Sequence, residues 1–165
     1  MIQVSIAKHA VAFPSKVLAS NGGKHIYNIQ LAEAAEKFVD NGWFVGKGDF
    51  IELDLYKAVA PTKFAGKVVG VAANGNYYVE VADPGDALFV YQVPMIEETY
   101  SNEFKKESNY TNAPTQVVRA YELAVGDVVE ISADGFATAV AAKDEVELKV
   151  ITGVTAAKQL AKKGE

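Results

Sequence analysis

Apolar residues at Leu31, Ala34, Ala35, Phe38 and Val39 recur at helical spacing, with Glu33, Glu36 and Lys37 facing away. That spacing predicts one short amphipathic helix over residues 31–40, ended by Asn41-Gly42. Beyond Gly42 the period falls to two. Phe50-Ile51-Glu52-Leu53-Asp54-Leu55-Tyr56 alternates apolar and acidic residues, which predicts a half-buried strand. Lys67–Val71, Tyr77–Val81 and Ala87–Tyr91 read as further strands, with turn signals at Asn74-Gly75 and at Asp83-Pro84-Gly85-Asp86. Asp127–Ser132 and Phe136–Val140 flank Ala133-Asp134-Gly135 as a tight hairpin, and Val146–Ile151 closes the pattern.

The two ends of the chain lack such a period. Residues 1–28 mix small, polar and apolar types and carry the turn signal Asn21-Gly22-Gly23. They read as an extended arm or as an edge strand with its loop. Residues 154–165 form a Lys-rich tail, whose last stretch from Ala156 reads as a frayed helical turn or a disordered end. The expected fold is mainly β, a small barrel or sandwich over residues 29–153, with one short helix and an extended N-terminal arm. Gly48-Asp49, Gly85-Asp86 and Gly126-Asp127 each open an apolar run; recurrent turn chemistry explains that echo more simply than duplication.

Composition narrows the function. With 165 residues, half of them hydrophobic and 22% charged, the chain can build a core without metal or disulfide. It has no cysteine, so thiol chemistry, zinc fingers and iron–sulfur sites are excluded. The net charge is −5 and Arg119 is the one arginine, which argues against a nucleic-acid surface. No apolar run reaches the roughly 20 residues that span a bilayer, and the first residues do not read as a signal peptide. A protein made in a cytoplasm and remaining soluble is expected.

Chemical signatures are sparse. His9 and His25 are the side chains suited to act as neutral-pH bases, and both read as solvated or locally bonded. No Gly-x-Ser-x-Gly, phosphate loop or EF-hand spacing occurs. Asp49, Glu52 and Asp54 are explained by the solvent face of a strand, and Tyr77, Tyr78 and Tyr91 by packing rather than a sugar-stacking platform. No catalytic residue, cofactor or metal is expected.

A family resemblance adds to this. The segment from Ala32 through Asp40-Asn41-Gly42-Trp43-Phe44-Val45 to Gly48-Asp49 carries it first. Val93-Pro94, the polar aromatic stretch to Tyr110, and Val118-Arg119-Ala120-Tyr121 leading into Gly126-Asp127-Val128-Val129-Glu130-Ile131 follow. In their order these features resemble the small capsid decoration, or cement, proteins of tailed bacteriophages, over roughly residues 30–151. The resemblance implies a non-enzymatic structural protein on the capsid exterior of a virion. Its partners would be the major capsid protein lattice and other copies of itself, with no direct nucleic-acid or membrane contact. The alternative reading is a small β-barrel module that holds a ligand or carbohydrate.

A β domain spends its inner face on its own core, so a partner must be met by loops, edges or arms. Two segments carry apolar or aromatic residues without a strong claim on the core. They are the arm with Ile2, Val4, Ile6, Val11 and Phe13, and the loop with Tyr100, Phe104 and Tyr110. These eight residues are the candidate partner contacts.

Overall fold

The computed structural model describes residues 3–4 (backbone alone), 8–12, 26–32, 38–52, 54–96 and 101–165. These residues form twelve strands: β1 (Gln3–Val4), β2 (Ile26–Gln30), β3 (Phe44–Glu52), β4 (Leu55–Val59), β5 (Ala65–Val71), β6 (Tyr77–Asp83), β7 (Ala87–Val90), β8 (Tyr110–Thr111), β9 (Val117–Glu122), β10 (Val128–Ile131), β11 (Glu145–Val150) and β12 (Ala157–Lys162). The protein is mainly β, as the alternation predicts. Ten strands join in the order β10-β6-β5-β11-β12-β3-β4-β2-β9-β7, and pairing of β7 with β3 closes the last five into a barrel.

β3 is the hinge of this arrangement. On one edge it pairs with β7, Phe44 facing Phe89 and Gly46 facing Ala87. On the other edge it pairs first with β12 at Phe44 and Val45, then with β4 from Gly46 onward. The barrel and an outer five-stranded sheet therefore share one wall, β3 with β7. Both faces of that wall are buried, which is why Ala87-Leu88-Phe89-Val90 is an unbroken apolar run. Leu88 and Val90 turn into the barrel with Ile29, Val45, Val118 and Ala120. Ala87 and Phe89 turn outward with Phe44, onto Val68, Val79, Val129, Ile131, Val146 and Leu160.

Four sequence expectations change. The alternating run 50–56 is not one strand: Phe50 faces Tyr56 and Glu52 faces Leu55 across the tip of the β3–β4 hairpin. Asp54 takes a positive φ of 62° there, a conformation open to Asp that reverses the chain. Gly48 likewise lies inside β3, not in a turn; a Cβ at this position would stand 2.7 Å from the Lys57 carbonyl oxygen, so only glycine lets the strands approach. Ala133-Asp134-Gly135 is a 3-10 turn but not a hairpin. β10 already pairs with β6, and Phe136 turns away to bridge Leu160 and pack edge-on against Tyr77.

The Lys-rich tail departs furthest from expectation. Residues 157–162 are β12, an interior strand between β11 and β3, with Leu160 fully buried. The helix expected over 31–40 has its centre, residues 33–37, outside the described residues. At its edges, Leu31 N–H donates to Gln116 O (3.0 Å) and Val39 bridges Asn112, both extended contacts.

Candidate partner-binding surface

At one end the barrel is closed by polar side chains that satisfy one another. Asp40, 6% exposed, accepts from the Thr111 hydroxyl (2.8 Å) and lies 2.9 Å from His9 Nδ1, while its second oxygen accepts from Ala10 N–H (3.1 Å). Asn41 clamps Gln92, donating to its carbonyl (2.8 Å) and accepting from its N–H (3.0 Å). Asn112, wholly buried, donates through Nδ2 to Val39 O (2.9 Å) and Asn41 Oδ1 (3.1 Å), and accepts from the Tyr110 hydroxyl (3.1 Å). Polar groups this deep are tolerable because each has partners; removing one leaves others orphaned. The Trp43 indole N–H is the exception here, buried with no acceptor among the described residues.

This network holds the N-terminal arm against the body. β1 pairs antiparallel with β8, Gln3 facing Thr111 and Val4 facing Tyr110. His9 N–H donates to Ser108 O (2.9 Å). Val11 N–H donates to Ser132 Oγ and its carbonyl accepts from Ser132 N–H, each at 3.0 Å. Ala10 and Ala12 are nearly inaccessible, one against the barrel core and the other against the outer core. Alanine is small enough to let backbone lie flat on both. Asp40 raises the His9 pKa through its hydrogen bond first and its charge also, against the lowering effect of burial.

The structure therefore brings the two candidate contact segments together, the arm running beside the loop that ends in β8. Their residues fare differently. Ile2, Ile6, Phe13 and Tyr100 lie outside the described residues, and Val4 contributes its backbone to β1. Val11 is half-buried under Ser132, and Phe104 is half-buried in the turns at 102–105. Tyr110 is a correction: only 2% exposed, it spends its ring and hydroxyl on the fold and is not a free anchor in this state.

His9 is neither solvated nor locally bonded, because its carboxylate partner is 31 residues away. The pair does not form a nucleophile–base arrangement, since Thr111 gives its hydroxyl to Asp40 rather than waiting beside the ring. Among the described residues no group of three or more His, Asp or Glu side chains could hold a metal ion. Sequence reasoning passed over Asp40, Asn41, Thr111 and Asn112. Asp40-Asn41-Gly42 has the look of a helix stop, and no local signal ties it to residues some seventy positions onward. Compared with protein families, curated proteins and solved structures, the chain matches none.

Proposed function

We propose that this protein is a non-enzymatic structural protein that binds the outer surface of an assembled phage capsid and stabilises it. The observation that carries the reading is the adjacency of arm and loop at one end of the barrel, joined as β1 and β8. Two segments far apart in sequence, each carrying apolar residues, meet there through paired backbone. The order of sequence features shared with decoration proteins supports the same reading. A rigid barrel with both faces of its central wall buried suits a brace that must resist load.

The test is co-sedimentation with assembled capsids. Removal of residues 1–7 takes away β1 but keeps His9 through Ala12, whose contacts hold the fold. That truncation, and separately Tyr100→Ala with Phe104→Ala, should weaken capsid binding while the free protein melts within a few degrees of the parent. Undiminished binding by both variants overturns the assignment of the surface. Failure of the intact protein to sediment with any capsid overturns the function.

A further inference from the structure

At the opposite end of the barrel, the inward-facing positions change character on four strands together. Ile29, Val45 and Ala120 fill the core; one pleat further out on the same faces stand Tyr27 on β2, Lys47 on β3 and Glu122 on β9. On β4 the corresponding residue beyond Ala58 is Tyr56. The Tyr27 and Tyr56 rings meet edge to face at 5.9 Å, and Lys47 Nζ lies 4.3 and 4.2 Å from their centroids. Tyr27 donates its hydroxyl to Glu122 Oε2 (3.1 Å), and Phe50, 60% exposed, stands edge-on to Tyr56 at 5.6 Å.

A cleft of about 240 Å³ opens beside this collar, lined by Tyr27, Lys47, Val59, Leu88 and Glu122 among others. One side is the β6–β7 turn, anchored by Asp86, whose carboxylate accepts from Thr62 N–H and hydroxyl and from Lys63 N–H. Those bonds occupy the Asp86 oxygens and hold it ionised, so it fixes the turn and offers no spare acceptor to a ligand. Like several surface lysines, Lys47 has no carboxylate within 4.0 Å among the described residues; what sets it apart is that its ammonium lies over two rings at the rim of a cleft. The mouth thus presents one unpaired cation held between aromatic rings, one carboxylate with an oxygen to spare, and an apolar floor.

We propose that this barrel mouth binds a single sugar ring bearing a carboxylate, a hexuronate. The volume fits one pyranose rather than a peptide, and barrel mouths are a common place for such clefts. Val59, Leu88 and the tyrosine edges receive the C–H face of the ring, Glu122 accepts from its hydroxyls, and Lys47 pairs its carboxylate. The site lies at the opposite end of the barrel from the β1–β8 pairing, so it stands or falls independently of the capsid reading.

Amide chemical shifts of the full chain, titrated with D-glucuronate and with D-glucose, test this. Saturable shifts should centre on Tyr27, Lys47, Leu88 and Glu122. Glucuronate should bind about fivefold more tightly than glucose, the factor an exposed ion pair supplies. Lys47→Gln should fold normally and lose that preference, and Glu122→Gln should weaken both sugars. No saturable shift, equal affinity for the two sugars, a preference that survives Lys47→Gln, or sodium acetate matching glucuronate would each overturn the proposal.

Discussion

The two ends of the barrel are built from similar residue types and solve opposite problems. At the closed end, Asp40, Asn41, Thr111 and Asn112 are buried, and their partners come from segments far along the chain. At the open end, Lys47 and Glu122 face solvent and Tyr27 and Tyr56 are half-buried. A carboxylate withdrawn from water must be matched group by group, so Asp40 is tied to the fold. A carboxylate left in water, such as Glu122, costs the fold little and stays available to something else. The difference teaches where to look for stability and where to look for ligands: polar groups with every partner inside the chain hold the molecule together, and those with spare capacity face outward.

Substitution at Asp40 should separate the ends most sharply. Asp40→Ala leaves Ala10 N–H, the Thr111 hydroxyl and His9 without their acceptor and should cost about 3–5 kcal/mol in denaturant unfolding. Ile131, fully buried in the outer core and bridged to Ala12, calibrates that figure with a purely apolar loss; Ile131→Ala should cost about 2–5 kcal/mol. A loss at Asp40 far below that at Ile131 would mean that water already reaches the closed end. Thr111→Val keeps the shape and removes one donor, so it should cost about 1–3 kcal/mol, since Asp40 keeps its other partners.

The pH response is smaller and its sign is fixed by His9. Its pKa in the folded protein is raised above the ordinary 6.5, so the folded state holds the proton more tightly than the unfolded chain. That contribution is complete below the unfolded value and is lost as pH rises through the folded one. The melting temperature should fall as pH rises from the ordinary histidine value of 6.5 through the raised folded one, and the fall should shrink in His9→Gln. The carboxylates held below their usual range, Asp83, Asp86 and Glu145, contribute on the acid side and do not interfere in that window. An unchanged pH profile in His9→Gln would show that the arm latch does not depend on charge.

Legibility in the sequence follows the same division between local and distant causes. The β5–β6 hairpin could be read because its turn, Asn74-Gly75, and its alternation are contained in one short stretch. β7 could be read as a strand, and its unbroken apolar run agrees with burial on both faces, although it does not say which strands supply the two cores. β12 could not be read. Ala, Lys, Gln and Leu are helix formers, and only the position between β11 and β3 makes Ala157-Lys158-Gln159-Leu160-Ala161-Lys162 a strand, with lysine stems lying along the sheet. The closed end was invisible because Asp40 and Asn112 have the local look of ordinary turn residues. The open end was not legible either, because Ile26–Asn28 fall in the stretch without a period and the hydrogen bond that joins Tyr27 to Glu122 spans 95 residues.

Lys47→Ala should have the smallest effect on stability, and that smallness is what the comparison requires. The ammonium lies over two rings, yet it is exposed, and cation–π contacts at exposed sites are worth about 0.5–1 kcal/mol. Removing it leaves the Tyr27–Tyr56 edge contact and the Tyr27–Glu122 hydrogen bond in place, so the collar keeps its shape. The expected loss in urea unfolding is below about 1 kcal/mol, against several for Asp40→Ala. A loss above about 2 kcal/mol would place Lys47 among the groups that hold the barrel shut. The mouth would then be a second closed end, and the free cation on which a ligand depends would belong to the fold instead.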